Sequence, residues 1–452
     1  MVINNPQLPL SYRAELLKPV LANIRMGECC SLIGMEGVGK SNLGRFIQRH
    51  DVQLAYWKDN SSWIILIDSH SLVFDEENPE YHFTRSMMQG LMSEAESRNF
   101  SNDFQAWATD LYQRITEGSN ALLAFQYLLE LCKRLCTQHG IQLIFVFDQF
   151  EDIWKTLNAR FFLNLRYLRD QLKYQLVYLV MSSDRLQYMR QDSQSVESFW
   201  EIFSLHTYGL GPYSEEDAEV MIERIALRAQ IDKAEIPPEV VALSGRHPGL
   251  IRAIFWASRN ASLQTLNTDN LLEVSSLCEE CAKIWRAFST DEQNVVRLLA
   301  QDLPRQRIVL AAVENLRLKK VIVDEPPVLF SPLFAAYVQQ KCGNTLPGVV
   351  VDVALRKVWV DGQLLQHNLP PLEFKLLVHL ARHSGTVCKR EDLVRALYHE
   401  NHYDRNDQRT YAVLSRLREA LGEDSQAPRH LITHRGGGIQ LIQGTTINDE
   451  GT

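Results

Sequence analysis

The apolar positions in the first half of the chain fall into short continuous runs, separated by segments with helical periodicity. Continuous apolar runs between helical segments are typical of strands buried on both faces of a parallel sheet. They occur at residues 29–33, 63–68, 143–147, 175–183 and 201–210. The pattern therefore predicts an α/β domain with a parallel sheet over residues 1–210.

Helical patterns dominate the next part of the chain. Residues 212–230 open with Ser214 and Asp217 at a spacing like that of a capping box, which predicts the start of a helical lid over 211–285. Helices followed by an apolar strand, an acidic proline turn and a second strand predict a winged-helix unit over 286–344. The polar, Gly- and Pro-containing residues 341–348 are typical of a linker.

A new pattern begins after the linker. Asp361 and Gly362 separate two strand-like segments, which is a strong hairpin signal. Helical periodicity follows, and the pattern closes with a glycine-tipped hairpin at 430–442. The predicted helices cover residues 369–385, 391–399 and 406–422. We therefore predict a separate α+β domain over 345–445, with a short tail at 446–452.

Composition and charge narrow the possible functions. A chain of 452 residues exceeds the size of one hydrophobic core, so two to four domains are expected. With 45% hydrophobic and 23% charged residues, the composition is that of a globular protein rather than a disordered one. The net charge of −8 argues against a protein that coats nucleic acid over its whole surface, but it leaves a local binding face open.

The spacing of the cysteines and the N-terminal sequence indicate the redox state of the thiols and the cellular compartment. The eight cysteines lack the dense spacing of a small secreted scaffold, which favours reduced thiols. Cys278 and Cys281 resemble half of a zinc site, but the helical periodicity around them favours packing over metal or redox work. The N-terminus has no basic region followed by an apolar run, and no stretch of 18 apolar residues occurs. These patterns predict a cytoplasmic protein without a membrane segment.

The sequence GMEGVGKS at residues 34–41 lies between a predicted strand and a predicted helix, and it matches the phosphate-binding pattern GxxxxGK[ST]. Glycines let backbone amides turn toward phosphates, Lys40 reaches the β and γ oxygens, and the Ser41 hydroxyl ligates Mg²⁺. We therefore predict an ATP and Mg²⁺ site. The predicted nucleotide contacts in this loop are Gly34, Gly37, Val38, Gly39, Lys40, Ser41 and Asn42.

Asp148 follows the apolar run at 143–147 and should emerge at the carboxyl edge of the sheet, where ligands bind. We predict that it completes the Mg²⁺ shell and that it acts in catalysis with Lys40. A carboxylate that merely caps a turn is the alternative. Gln149 stands where an acid often activates water, so hydrolysis should be slow and serve as a switch, or Glu151 takes the role of base.

The segment YLVMSSDR follows a strand that fits the additional-strand class of P-loop folds. Ser182 or Ser183 would then sense the γ-phosphate, and Arg185 would reach the same region. Ordinary hydrogen bonding at the end of a strand is the alternative for these residues.

GMEGVGKS, FVFDQFED, SSDR and GRHPGL, in this order, resemble the STAND class of signal-transduction ATPases over roughly residues 12–340. The resemblance implies that His247 and Pro248 line the nucleotide pocket. It also implies that the winged-helix unit at 286–344 packs on the ATPase as a hinge. Arg246 stands where the class more often has glycine, which favours a solvated lid arginine.

One face of the last predicted helix carries Thr410, Leu414, Leu417 and Leu421, which predicts its core side. Small residues and arginines point away from that face, as in a helix that enters the major groove of DNA. Arg435 at the tip of the last hairpin would enter a minor groove. The predicted DNA contacts are Arg405, Gln408, Arg409, Ser415, Arg416, Arg418 and Arg435.

The run at 349–442 resembles the OmpR/PhoB-type winged helix-turn-helix effector domain of bacterial response regulators, through EFKLLVHLARHSGTVCKREDLVRALY, SRLREALG and HRGGGIQL. Val413 and Ile439 depart from the usual polar residue and tyrosine of that family. Residues 345–452 contain 13 Lys and Arg against 13 Asp and Glu, so non-specific DNA affinity should be modest. A winged helix that contacts protein instead is the alternative.

The combined patterns favour a transcription regulator in which ATP or ADP controls a domain that binds double-stranded DNA. No receiver-like segment precedes the effector domain in this sequence, so ATP is expected to replace phosphorylation as the input. Two alternatives stay open: a defence or stress sensor in which ATP drives self-oligomerisation or binding of a partner protein, and an ATPase that loads on DNA.

Overall fold

The computed structural model describes residues 7–69, 78–190, 192–260, 265–301, 310–323, 327–341, 348–361, 363–398, 403–423, 428–434, 438–442 and 444–447. The side chains of residues 260, 341, 363, 403–408, 445 and 447 also lie outside the described part. The chain divides into two compact units. Unit 1 contains Met1–Phe288, Glu314–Glu325 and Phe330–Leu333, and unit 2 contains Ser289–Val313, Pro326–Leu329 and Phe334–Thr452.

A five-stranded parallel sheet forms the centre of unit 1. Its strands are β1 (Cys30–Gly34), β2 (Ser62–Asp68), β3 (Gln142–Asp148), β4 (Leu176–Ser182) and β5 (Thr207–Leu210). They lie in the order β2-β3-β4-β1-β5, so two strands separate the P-loop strand β1 from β2. All residues of β1, β3 and β4 are buried, as expected for strands covered on both faces. The predicted α/β class with a parallel sheet is confirmed.

Helices surround this sheet and follow it in the chain. They are α1 (Ala14–Arg25), α2 (Lys40–Gln48), α3 (His50–Trp57), α4 (Pro79–Ser97), α5 (Asn102–Gly118), α6 (Ala121–Lys133), α7 (Phe150–Thr156), α8 (Ala159–Gln171), α9 (Glu197–Trp200), α10 (Glu215–Ala229), α11 (Glu239–Ser244), α12 (Pro248–Asn260), α13 (Thr268–Leu272) and α14 (Ser275–Arg286). The Ser214 hydroxyl caps α10 by accepting from the Asp217 amide at 3.1 Å. A helix is thus present where the lid was predicted to start, and its role as a lid stays a prediction.

The strand predicted at 201–210 is shorter in the structure. Glu201–Phe203 form a helical turn, and only Thr207–Leu210 pair with β1. Phe203 is turned into the core, where its ring lies 5.4 Å from that of Phe199. An apolar run therefore marked burial here, but not a continuous strand.

Between the lid and the C-terminal domain, the element order is helix, helix, strand, strand, helix. The elements are α15 (Thr290–Ala300), α16 (Leu310–Leu318), β6 (Ile322–Val323), β7 (Val328–Leu329) and α17 (Pro332–Lys341). This order fits the predicted winged-helix unit, whose role as a hinge stays a prediction. The predicted linker lies largely outside the described residues.

The described residues of the C-terminal domain form three helices and two small sheets. Its elements are β8 (Val349–Asp352), β9 (Lys357–Val360), β10 (Gln363–Leu364), α18 (Pro371–Arg382), α19 (Arg390–Tyr398), α20 (Tyr403–Leu421), β11 (Leu431–His434), β12 (Gly438–Leu441) and β13 (Gly444–Ile447). The sheets have the orders β10-β9-β8-β13 and β11-β12. Both predicted hairpins are present, because β9 pairs with β10 and β11 with β12 in antiparallel fashion.

Within the part of the chain that the structure describes, no helix combines the length and apolar character that a membrane span requires. Cys281 is buried, and the Cys278 thiol lies 3.0 Å from the Leu272 carbonyl oxygen, to which it donates. This environment agrees with packing rather than with half of a zinc site.

Candidate nucleotide site and candidate nucleic-acid interface

The loop between β1 and α2 has the geometry of a phosphate cradle. Gly37 and Gly39 have φ values of 74° and 100°, a left-handed region that glycine adopts without a steric penalty. Gly39 precedes the first residue of α2 and supplies no side-chain cap. The first amides of α2 therefore point into the loop with the positive end of the helix dipole behind them, which favours an anion there.

Lys40 is held inside this loop. Its Nζ donates to the carbonyl oxygens of Gly34 at 2.9 Å and Met35 at 3.3 Å, and it lies 3.5 Å from a carboxylate oxygen of Glu36. The side chain is only 7% exposed. Because the ammonium group is desolvated and surrounded by flexible acceptors, an incoming phosphate can replace these contacts with stronger charge-assisted hydrogen bonds.

A pair of aspartates lies at the carboxyl edge of the sheet. Asp148 ends β3, is 2% exposed, and lies opposite Asp68 in the register of β2 and β3. Burial raises the pKa of Asp148, the hydrogen bond from Ser41 lowers it, and the negative charge of Asp68 raises it. Two adjacent carboxylates beside a serine hydroxyl are well suited to a hard divalent cation.

Sequence reasoning missed Asp68. The signal was available, because WIILID and LIFVFD are both apolar strands that end in aspartate. Parallel strands bring their carboxyl ends to one edge of the sheet, so two such strands place two carboxylates together if they are neighbours. The sequence did not reveal that β2 and β3 are neighbours.

Glu151, the predicted base, is a buried carboxylate that lines the cleft. Burial raises its pKa, the positive charge of Lys40 lowers it, and a hydrogen bond with Ser183 lowers it further. Its Oε2 atom is buried without a hydrogen-bond partner. Gln149 begins the turn into α7 with a φ of 51°, and its side chain lines the same cleft. An uncompensated oxygen with a raised pKa is what a water-activating carboxylate needs.

The cleft brings most of the predicted phosphate-site residues together. Its lining includes Gly37, Gly39, Lys40, Ser41, Asn42, Gln149, Glu151, Ser183 and Arg252. Val38 is fully buried, and its carbonyl oxygen accepts from Arg13 at 3.0 Å. Gly34 ends β1, where an added Cβ would lie 2.8 Å from the Leu210 carbonyl oxygen.

The predicted sensor residues are placed differently from one another. Ser182 is fully buried, and its hydroxyl donates to the Asp184 carbonyl oxygen at 2.7 Å, as in the alternative of strand-end hydrogen bonding. Ser183 faces the cleft instead. Arg185 is partly exposed and is not among the residues that line the cleft.

His247 is fully buried and contacts the backbone of the phosphate loop. Its Nε2 lies 2.9 Å from the Glu36 carbonyl oxygen, and its Nδ1 accepts from the Leu250 amide at 3.3 Å. This arrangement requires a neutral ring that carries its proton on Nε2. Burial lowers the pKa of His247 to about 3. An added Cβ on Gly37 would lie 3.0 Å from the ring, so histidine and glycine fit each other.

Pro248 lines a second cavity that adjoins the first and shares Gly37, Gly39, Asn42 and Arg45 with it. The cavity is rich in aromatic rings and arginines. These are Tyr12, Phe46, Tyr213 and Trp256, with Arg45, Arg49, Arg224, Arg228 and Arg252. A surface with flat rings and positive charges next to a phosphate loop suits a nucleoside and its phosphates.

Arg13 links the N-terminal segment to the phosphate loop and to the start of the lid region. Sequence reasoning missed this residue. Its guanidinium donates to Gly211 O at 2.6 Å and to Val38 O at 3.0 Å, and it lies 4.5 Å from the ring centroid of Tyr213. Its backbone amide donates to the Asp217 carboxylate of α10. Arg246, by contrast, is 44% exposed and pairs with Glu215, as expected for a solvated lid arginine.

A buried ion pair connects the end of β4 with α16. One Asp184 carboxylate oxygen accepts from Asn315 at 2.7 Å, and the other accepts from Lys319 at 2.9 Å. Lys319 is 1% exposed, so the pair is shielded from solvent. Asp184 directly follows the cleft residue Ser183 in the chain.

Helix α20 has the predicted core face. Thr410, Leu414, Leu417 and Leu421 are all buried. Val413 is 1% exposed and joins them, which explains why an apolar residue stands at this position. Ile439 is also buried, and its backbone pairs with Cys388. Both departures from the family pattern are therefore core residues.

The predicted DNA contacts of α20 differ in solvent exposure and in their hydrogen-bond partners. Arg409 and Ser415 are exposed. Arg416 is 56% exposed, and its Nε lies 2.5 Å from Oε1 of the buried Glu373. Arg418 donates to Leu431 O at 3.1 Å and to Thr433 Oγ1 at 2.6 Å. The side chains of Arg405 and Gln408, and the whole of Arg435, lie outside the described residues.

Comparisons with known proteins agree with this division. Residues 365–441 match the family model "Transcriptional regulatory protein, C terminal". The regulatory protein VanRc of Enterococcus gallinarum is 39% identical over 70 residues, which are 16% of this chain and 30% of that protein. The chain spans only 30–40% of the length of the curated relatives that it matches.

Two solved structures are similar to different parts of the chain. The DNA-binding domain of Klebsiella pneumoniae RstA in complex with the RstA box is 27% identical, covering 21% of this chain and 89% of that chain, with a TM-score of 0.19. The Walker-type ATPase PABY2304 of Pyrococcus abyssi is 17% identical, covering 72% of this chain and 94% of that chain, with a TM-score of 0.42. It is the family model that identifies residues 365–441 as the C-terminal domain of a transcriptional regulatory protein.

Proposed function

We propose that this protein is a transcription regulator whose affinity for double-stranded DNA is switched by ATP. The observation that carries the proposal is the combination, in one chain, of a formed phosphate loop with a transcription-regulator DNA-binding domain. Lys40 and Ser41 of the loop line the cleft, and Ser41 is hydrogen-bonded to Asp148, which lies opposite Asp68 in the sheet. The DNA-binding domain is the segment that matches the family model.

In the proposed complex, the amides of residues 37–42 and the ammonium group of Lys40 hold the phosphates. Ser41 and Asp148 hold Mg²⁺, with Asp68 next to them. The ion held there would offset the charge of the two carboxylates and of the phosphates. Arg252 adds positive charge, because it lines both the phosphate cleft and the adjoining aromatic cavity.

Slow hydrolysis would reset the switch. The residue after Asp148 is Gln149 rather than an acid, and Glu151 is the nearest buried carboxylate with an uncompensated oxygen. Glu151→Gln should therefore abolish ATP turnover while ATP binding persists, since the amide cannot accept a proton from water. Equal turnover by wild type and variant would exclude Glu151 as the base.

The proposed signal passes from the cleft to α16 through Asp184. A bound γ-phosphate would move Ser183, and Asp184 would carry that movement to Asn315 and Lys319. Asn315 lies in α16, and Lys319 directly follows this helix. Asp184→Asn should keep ATP affinity but reduce the effect of ATP on DNA binding. Loss of ATP affinity as well would indicate a fold defect rather than a relay.

The proposal is tested by selecting duplexes from a random DNA pool with the full chain, with and without ATP. We expect one enriched sequence whose yield depends on ATP, and the Lys40→Ala variant should enrich the same sequence without that dependence. Enrichment of no sequence would contradict a regulator and favour a sensor or a DNA-loading ATPase. The effect of ATP on subunit number can be measured on the same samples by light scattering.

A further inference from the structure

Three side chains with metal-binding donors meet in the C-terminal domain, on the turn between α18 and α19. They are His379 near the end of α18, His383 one helical turn later, and Cys388 just before α19. One donor atom from each lies within 4.8 Å of the other two. Nothing in the proposed nucleotide switch or in the DNA-reading face uses these residues.

The two histidines are arranged in a way that suits ligation. His383 Nδ1 lies 2.9 Å from the His379 backbone carbonyl oxygen, to which it donates its proton. This bond fixes the tautomer and leaves a lone pair on Nε2, which is the second-shell arrangement that metal-binding histidines usually have. The two imidazole rings lie close together, with centroids 4.5 Å apart.

Cys388 supplies the third donor from a rigid position. Its backbone forms two hydrogen bonds with Ile439 of β12, at 2.8 and 2.9 Å, and its side chain is only 6% exposed. Burial lowers the pKa of His379 and raises the pKa of Cys388, and the negative charge of Asp392 acts to raise both. Water would supply the fourth ligand of a tetrahedral site.

We infer that His379, His383 and Cys388 form a binding site for a transition-metal ion of the zinc class. Two imidazoles and one thiolate favour borderline-soft ions such as Zn²⁺ and Co²⁺ over Mg²⁺ or Ca²⁺. In a tetrahedral site with bonds of about 2.0–2.3 Å, the donors are roughly 3.3–3.8 Å apart. Closing from separations of up to 4.8 Å therefore needs a movement of about 1 Å.

Binding of the metal ion releases one proton from the protein. The metal ion replaces the thiol proton of Cys388, which passes to solvent, and the two imidazoles bind as neutral ligands. Because the Cys388 backbone pairs with Ile439, the ion would join the end of α18 to the β11–β12 hairpin. Gly385 and Gln440 already connect these parts, since Gln440 Nε2 donates to Gly385 O at 2.7 Å. A bound ion would therefore stiffen the base of the β11–β12 hairpin.

The test is titration of the full chain, free of nucleotide and in excess Mg²⁺, with Co²⁺ as a spectroscopic probe. We expect the visible bands of tetrahedral Co²⁺ together with a sulfur-to-cobalt charge-transfer band, both removed by competing Zn²⁺. Oxygen ligands in the phosphate cleft cannot give the sulfur band. Absence of that band in the wild-type protein would overturn the inference.

Variants identify the ligands. His383→Ala changes an exposed residue and should weaken Zn²⁺ affinity by at least about 100-fold, since loss of a direct ligand should cost no less than loss of a second-shell partner. Cys388→Ser should remove the sulfur band, with circular dichroism as the check on folding. His367→Ala, also an exposed histidine, and Cys278→Ser are the matched controls. An unchanged spectrum in His383→Ala, or its loss in a control, would place the metal elsewhere and overturn the inference.

Discussion

The phosphate loop and the DNA-reading helix both depend on positive side chains, but they hold them in opposite ways. Lys40 is 7% exposed and has three oxygen partners within its own loop. Arg416 is 56% exposed and is tied to a single carboxylate, that of Glu373. One charge is desolvated and oriented before its ligand arrives, whereas the other stays in water.

This difference has energetic consequences. A buried charge interacts strongly with a phosphate because the local dielectric is low, and it has little entropy left to lose. An exposed arginine contributes less per contact, and salt screens it. We therefore expect substitutions in the loop to cause large losses of nucleotide affinity. Substitutions on α20 should change DNA affinity by small amounts that depend on salt concentration.

The largest expected effect is that of Lys40→Ala. Removing the buried ammonium group should weaken ATP binding by at least about 100-fold, because charge-assisted hydrogen bonds are worth about 1.5–3 kcal/mol each. Isothermal titration calorimetry measures this directly. Lys173→Ala, at an exposed lysine of the same unit, is the control and should bind ATP normally. Equal ATP affinity of the two variants would contradict a role of Lys40 in binding the phosphates.

The second effect concerns pH and the neutral His247 beneath the loop. Burial lowers the pKa of His247 from 6.5 to about 3, so below pH 6.5 the unfolded state binds a proton that the folded state refuses. Stability is therefore lost as the pH falls, by about 1.4 kcal/mol per pH unit for this one group. Denaturant unfolding at pH 7 and pH 5 should give a smaller loss in His247→Gln than in wild type.

His50→Gln serves as the control for that experiment, because His50 is exposed. Acidic groups with raised pKa values, such as Asp148 and Glu151, act in the opposite direction, but they are common to all three proteins. Only the difference between variants is therefore compared. Parallel profiles for all three proteins would contradict a buried neutral histidine.

The third effect separates two arginines on α20. Arg416→Ala should cost about 1–3 kcal/mol at one base position if it reads a base, or reduce binding to all sequences evenly if it contacts phosphate. Arg418 instead bonds Leu431 O and Thr433 Oγ1, so Arg418→Ala should lower the melting temperature more than Arg416→Ala does. Binding to single-base variants of the selected duplex and thermal unfolding measure the two outcomes. The reverse order of melting temperatures would refute this division of roles.

The smallest effect is expected for Glu373→Gln. The change frees Arg416 and removes a negative charge beside the proposed DNA face, so DNA affinity should rise less than about tenfold and the salt dependence should steepen by about one charge. Fluorescence anisotropy over a range of salt concentrations measures both quantities. Glu391→Gln, at an exposed acid of α19, is the control. Weaker DNA binding by Glu373→Gln would mean that the ion pair positions Arg416 rather than restrains it.

Local signals made part of this structure predictable. The loop motif, the apolar strand before Asp148 and the core face of α20 each lie within about twenty consecutive residues, where periodicity and turn chemistry decide the conformation. Asp68 was within reach of the same reasoning, because its strand resembles the strand of Asp148.

Contacts between distant parts of the sequence were not predictable in this way. His247 bonds the carbonyl oxygen of Glu36, and Arg13 bonds Asp217 and Gly211. These partners are about 200 residues apart, so no local pattern links them. The orientation of Ser182 and Ser183 was also not predictable. Strand alternation places the two side chains on opposite sides of the strand. The structure shows that Ser182 bonds the Asp184 carbonyl oxygen and that Ser183 faces the cleft.

The most direct measurement of the central claim is the affinity of the full chain for its selected duplex in ATP, in ADP and without nucleotide, by fluorescence anisotropy at fixed salt. Calorimetry on the same samples establishes that nucleotide is bound. The nucleotide switch predicts at least about a tenfold difference in affinity between two of these states, a coupling free energy of about 1.4 kcal/mol. Equal affinities in all three states, with ATP demonstrably bound, would contradict it.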